Sequence, residues 1–464
     1  MSAVSFDLLV AGGTLVTSEG RRAASLAVRD GCIAEVLPAG TRAETSEAID
    51  ASGLYILPGV IDTHVHTRHP GVPEREDFQS GTAAAAAGGI TTLFEMPISK
   101  LPVNSGASLA RRAKLLQPTA HIDYALYGGA GHENVDALAG QAEAGAIAFK
   151  TFLQPPPPAR LDEFFGLWCT DEVRLRELMR VVKDTGLRHC FHCEHTATLE
   201  ALQRDLEAAG RITGVAHAES RPPVVEELSV AIMLALAEDL GARVQVVHCS
   251  SPRAARMVSD ARWRGVDATV ETCPPYLFFT EEALERLGPF AKCNPPLRGD
   301  KEVRGLRQCL REGLIEVVGT DHSPFLAEDK ARGADNIFLA PPGLAGLEVL
   351  VPLMLTAVQR GWITLEDLAG LLSENAARLF RLPQKGRLTA GADADLTIID
   401  LNHVSTYDSA SALTKSRANM RIYDGFELHG RVVHTVVRGV PVYRDGVVVG
   451  RPGHGRFVRP AGPP

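Results

Sequence analysis

Eight apolar runs, spread between residues 56 and 384 and separated by loop and helix patterns, constrain this chain more than any other feature. In order they read "LPGVIDTHVH", "ITTLFEMP", "HIDYALYGG", "AIAFKTFL", "RHCFHCE", "RVQVVHCSS", "VDATVETCP" and "IEVVGTDHSP". Helical patterns lie between most of them, such as Asp171 to Thr185 and Val225 to Leu240. Strand, loop and helix in alternation predict an α/β fold with a parallel sheet. Eight such units over about 320 residues fit a (β/α)8 TIM barrel with insertions. A doubly wound open sheet is the alternative, although no G-x-G-x-x-G follows the first run.

Outside this rhythm the pattern is all strand. "FDLLVAGGTLV", "AASLAVRDGCIAEV" and "EAIDASGLYIL" precede it, and "GRLTAGADADLTIIDL" and "GRVVHTVVRGVPVYRDGVVV" follow it, with Gly-Gly and Asp-Gly at hairpin positions. Each half-sheet has an apolar face that the other can cover. Residues 1–55 plus 385–464 are therefore expected to form a small β-sandwich, and residues 56–384 a catalytic barrel.

Acidic residues outnumber basic ones 56 to 48, which gives a net charge of −8 and argues against a nucleic-acid surface. No apolar stretch is long enough for a bilayer, and no leader pattern opens the chain, so the expected compartment is the cytosol. The eight cysteines are scattered and suggest no disulfide framework. Cys190 and Cys193 form a C-x-x-C, but inside a strand-like run whose alternation points the two thiols to opposite faces.

Ionisable residues close five of the eight runs: His64 and His66, Lys150, His192, His248 and Asp321. In a parallel barrel, strand C-termini are where catalytic groups collect. His64 and His66 stand two apart on one strand, so they share a face with Cα atoms about 6.6 Å apart and can converge on one metal ion. A pair of hydrogen-bonded core histidines is the alternative. Lys150 in "AIAFKTF" is expected to be buried, where an ammonium tends to lose its proton. A neutral amine captures carbon dioxide to become a carbamate, which can bridge two cations; a salt bridge to Asp321 or a glutamate is the alternative. His192 is preferred over His189, His195 and His217 because it closes an apolar run. Asp321 in "GTDHSP" could instead cap a helix, but Pro324 and the lack of a helical pattern count against that. Four imidazoles, a carbamate and a carboxylate make a shell for two borderline metals, expected to be zinc. Two such ions roughly 3.5–4 Å apart can share a hydroxide. Asp321 would move the proton from that water to a leaving nitrogen.

The ordered set "HVH", "FKTF", "HCE", "VHCSS" and "GTDHSP" resembles the amidohydrolase superfamily, in particular its cyclic amidohydrolases: dihydroorotases, allantoinases and hydantoinases. The resemblance covers nearly the whole chain. It implies that His64, His66 and Asp321 hold one metal, that His192 and His248 hold the other, and that carboxylated Lys150 lies between them. It also implies hydrolysis of a ring CO–NH bond by a homo-oligomer, a dimer or tetramer; the leading expectation is a dihydroorotase-like activity, with allantoinase or hydantoinase (dihydropyrimidinase) activity as the alternative. "HVHTRHPG" and "KCNPPLR" resemble dihydroorotase, in which Arg68 and Asn294 would meet a substrate carboxylate. "APPGLAGLE", which contains Pro342 and Gly343, leans the same way and lies at the end of a mouth loop, Ser323 to Gly343, expected to contact substrate. "ETCPPY", "DHSPF" and "MPISKLP" look more like allantoinase or hydantoinase, and Phe325 and Ile98 stand where dihydroorotases carry a histidine and an asparagine. Prolines 155 to 158 are expected to stiffen the pocket wall. Two further readings are a metal-free structural relative, whose ligands would be eroded, and a mononuclear deaminase, which would not need Lys150.

Overall fold

The computed structural model describes residues 6–41 and 43–462. Each of the eight apolar runs contains a strand: Val60–Val65, Ile90–Glu95, Asp123–Leu126 continued by Gly128–Gly129, Phe149–Phe152, His189–His192, Val244–Val246, Ala268–Thr272 and Val317–Val318. Every residue in them is buried, which is why they read as unbroken apolar runs rather than alternating ones. All their pairings are parallel, in a three-stranded sheet and a six-stranded sheet. Two features join the sheets. The third run kinks between Leu126 and Gly128 but hydrogen-bonds on both sides, Tyr127 N to Glu95 O at 3.0 Å and Gly128 N to Ala148 O at 2.9 Å. At the other margin Val65 bridges His322 in parallel, and His66 N donates to His322 O at 2.8 Å.

Helices fill the crossovers where polar caps open them. Asp77 and Ser80 make a capping box for Phe78–Ala87, Asp171 caps Glu172–Asp184, and Ser251 caps Pro252–Trp263. The alanine run lies in the first of these helices, which ends at Gly88, where any Cβ would collide with the Leu347 carbonyl, and the chain turns at Gly89 with a φ of 87°.

Strands from both chain ends join one nine-stranded sheet. Tyr55–Pro58 is its hinge: it runs parallel to Phe6–Thr17 on one side and antiparallel to Leu396–Thr406 on the other. The sheet has its own hydrophobic cluster, including Leu8, Val10, Leu26, Val28, Ile56, Leu396, Ile398 and Val436. After it, the chain returns to the parallel strands. Tyr124 N donates to Arg456 O at 3.0 Å, and Val458 N donates to Tyr124 O at 2.8 Å. Among the described residues, no helix is long and apolar enough to cross a membrane.

Candidate metal centre and substrate pocket

The first strand delivers His64 and His66 to the C-terminal end of the parallel sheet, their ring centroids 5.2 Å apart. Both Nε2 atoms lie 3.3 Å from the same oxygen, Asp321 Oδ1. No helix starts at Asp321, so its carboxylate is not spent on a cap; the next helix is Ala327–Ala331. Burial works to raise the Asp321 pKa, but His64 and His66 more than reverse it and hold the carboxyl down to about 2. Burial lowers His66 to about 3.

The fifth and sixth strands deliver a second pair. His192 Nδ1 faces His248 Nε2 at 2.9 Å, and the His248 ring lies 5.3 Å from that of His64. Lys150 is fully buried on the fourth strand, and its Nζ has no hydrogen-bond partner. The expected alternative of a salt bridge to Asp321 or a glutamate is not formed among the described residues. Burial lowers the Lys150 pKa to about 8, and its charge reaches both His248 and Asp321.

Two glutamates that the sequence reading left without a role orient these rings. Glu271, on the seventh strand, meets His64 Nδ1 at 2.7 Å while accepting from Thr63 Oγ1 at 2.6 Å. Glu194 meets His192 Nε2 at 2.8 Å and Arg221 at 3.2 Å. A carboxylate facing one ring nitrogen keeps the proton there, which leaves His64 Nε2 and His192 Nδ1 with lone pairs aimed inward. This is the outer arrangement that fixes metal-ligating histidines. These lone pairs and the orphaned Lys150 amine are a donor set that fits two divalent cations and a lysine carbamate. The competing histidines face elsewhere: His189 meets Thr151, His195 meets Thr198, and His217 meets the Cys293 carbonyl. Cys190 and Cys193 are buried free thiols, like all but the partly buried Cys32.

Above these groups lies one cavity, lined by His64, His66, His192, His248 and Asp321 together with Arg68, Asn294, Pro342 and Gly343. Ile98, Phe152, Phe164 and prolines 155–157 also line it, and it shares the three prolines with an outer vestibule of about 930 Å³. The Arg68 guanidinium lies over the Phe325 ring at 4.4 Å and donates Nη2 to Ser323 Oγ at 2.6 Å. Its Nε and Nη1 are buried without partners, as is Asn294 Oδ1. Arg68, His248 and Asp321 all have positive φ, at 57°, 41° and 48°. Such backbone costs a non-glycine residue about 1–3 kcal/mol each; Asp30, Arg381, Arg438 and Asp445 share it away from this cavity.

The profile of the Amidohydrolase family matches residues 55–442. Allantoinase from Deinococcus radiodurans is 39% identical over 460 residues, 98% of this chain and 99% of that protein. L-hydantoinase from Paenarthrobacter aurescens is 34% identical over 456 residues, 98% of each. The solved L-hydantoinase (dihydropyrimidinase) from Arthrobacter aurescens superposes with a TM-score of 0.93 at 33% identity, covering 98% of this chain and 100% of that one. The chain therefore belongs to the amidohydrolase family and is an enzyme that hydrolyses cyclic amide C–N bonds.

Proposed function

We propose that this enzyme opens the ring CO–NH bond of a hydantoin-type ureide, with allantoin as the first candidate. The observation that carries the reading is the convergence of His64, His66 and Asp321 beside the facing pair His192 and His248, with the Lys150 amine orphaned beneath them. His64, His66 and Asp321 would hold one zinc ion, His192 and His248 the other, and a carbamate formed on Lys150 from carbon dioxide would lie between. When bound, the metals supply Lewis acidity and a water acidified to near neutral pH.

The chain's own groups do the rest. Asp321 stays ionised at neutral pH, so an Asp321 oxygen accepts a proton from the attacking water. As the water oxygen bonds to the ring carbonyl carbon, the C–N bond breaks, and Asp321 returns the proton to the departing nitrogen. Glu271 and Glu194 hold the imidazoles in one tautomer throughout. Ile98, Phe152 and Phe164 keep bulk water from the reacting carbonyl.

The allantoinase and hydantoinase relatives support a ureide, as do the apolar Ile98 and Phe325. A second reading, dihydroorotate, is favoured by the unpartnered Arg68 Nε and Nη1 with Asn294 on the same cavity, a fork suited to a carboxylate. Zinc-reconstituted enzyme assayed against allantoin, hydantoin, dihydrouracil and dihydroorotate tests both. Turnover of allantoin or hydantoin is expected to lead; preference for dihydroorotate selects the second reading, and turnover of none of the four refutes both.

We also read the two parallel sheets as one closed (β/α)8 barrel, supported by the Val65–His322 bridge, with the nine-stranded sheet that includes Tyr55–Pro58 folded as a sandwich domain against it. The proposed working form is a cytosolic homo-oligomer, a dimer or tetramer, consistent with eight free cysteines.

A further inference from the structure

Lys292 and Lys330 are buried beside the cavity, yet among the described residues every hydrogen-bond acceptor that meets either ammonium is a backbone carbonyl. Lys292 Nζ donates to Ile337 O at 2.7 Å, Phe338 O at 3.3 Å and Ala340 O at 2.7 Å. Lys330 Nζ donates to Gly343 O at 2.6 Å and to the carbonyl of Lys292 itself at 3.0 Å. That same Lys292 carbonyl accepts from Gly343 N at 2.9 Å. The two side chains thus sew together the two segments that bring Asn294 on one side, and Pro342 and Gly343 on the other, into the substrate cavity. Lys330 Nζ also lies 5.6 Å from the centre of the Phe325 ring that supports Arg68.

Burying an ammonium without a counter-ion is expensive, and apolar side chains would fill the same space at lower cost. Burial lowers the Lys330 pKa to about 7 and that of Lys292 well below its ordinary value. The cost falls where two of the segments that line the cavity are tied to each other. A supporting shell that fixes a binding edge is what such N–H donors can supply and a hydrophobe cannot.

We infer that Lys292 and Lys330 are positioning residues for the hydrolysis: their carbonyl cages hold the Asn294 and Pro342–Gly343 edge of the pocket in the geometry that grips the ring. The inference rests on the proposed ring-opening at this cavity.

The test uses zinc-loaded enzyme carrying Lys292→Met or Lys330→Met, with Lys292→Arg and Lys330→Arg as conservative variants. KM is expected to rise about tenfold while kcat stays within about twofold and bound zinc is unchanged, the signature of lost ground-state binding. The arginine variants, which keep the donors, are expected to recover most of the KM. An unmoved KM, a fall confined to kcat, or loss of zinc would overturn the assignment. Where a methionine variant fails to accumulate, the same KM-against-kcat comparison on Lys→Gln decides. If the native enzyme opens none of the four rings, the ring-opening reading fails by itself. Amide hydrogen exchange then decides the clamp: protection at Ala340 and Gly343 lost in Lys330→Met upholds it, and unchanged protection removes it.

Discussion

Two groups of three potential metal ligands, each with two buried members and one half-buried, lie at opposite ends of the parallel strands, and both bring their ligand atoms within 4.8 Å of one another. One is His64, His66 and Asp321 at the C-terminal ends. The other is Asp123, Asp393 and Asp395, where Asp123 begins the third strand. By proximity alone they are equals, but their electrostatics differ. Lys385 Nζ sits among the three aspartates at 2.8, 3.1 and 2.6 Å, and Arg438 also donates to Asp123. Burial works to lower the Lys385 pKa, and the carboxylates of Asp395, Asp123 and Asp393 more than reverse it. That cluster carries its own cation. Among the described residues no cation is hydrogen-bonded into the histidine cluster: His64 Nε2, 3.3 Å from Asp321 Oδ1, and the nearby Lys150 Nζ, over the Phe152 ring at 4.9 Å, are buried and lack hydrogen-bond partners. What marks a metal centre is not three ligands in proximity but lone pairs that the chain itself leaves unmet.

This contrast can be broken by mutation. Lys150→Ala is expected to cost at least about a thousandfold in kcat/KM and to lower bound metal, read by steady-state assay and metal analysis. Undiminished turnover would remove the bridging role and with it the contrast. Lys385→Met should do the reverse, costing about 3–5 kcal/mol in urea unfolding by stranding buried aspartates while metal stoichiometry holds. If the variant instead gains a metal ion, proximity was enough after all. Glu271→Gln is expected to weaken metal binding by roughly 10- to 100-fold, measured by competition with a chelator; wild-type affinity would mean that His64 needs no outer partner. The smallest effect is a difference. Arg68→Ala should raise KM for dihydroorotate about tenfold more than for hydantoin, and equal losses would show that Arg68 does not read a carboxylate.

The sequence made the strands and the cluster of candidate ligands at their ends legible because both sit where an apolar run meets a polar end. It concealed what depends on distant pairing. Glu271 and His64 are 207 positions apart, and nothing local in "VDATVETCP" announces that the glutamate faces a histidine. Glu194 stood inside "HCE", yet its role emerges only once Arg221 comes to it from the turn that precedes helix Pro223–Leu240. The single run "LPGVIDTHVH" turned out to be two strands in different sheets. Gly59 separates them because a Cβ there would strike Thr91 and Asp395, and burial on both sides erases any break in the hydrophobic pattern. Phe325 looked like a lost contact by comparison with dihydroorotases; in the folded chain it is the platform beneath Arg68.

The position of Tyr55–Pro58 between Phe6–Thr17 and Leu396–Thr406 bears on biosynthesis. Its second neighbour leaves the ribosome roughly 340 residues after it does, which at ordinary elongation rates is on the order of 20–70 s. For that interval the early strands present an unpaired edge while the catalytic strands are already being made. A nascent chain of this enzyme must therefore shield that edge, or recruit a chaperone to do so, before its two ends meet.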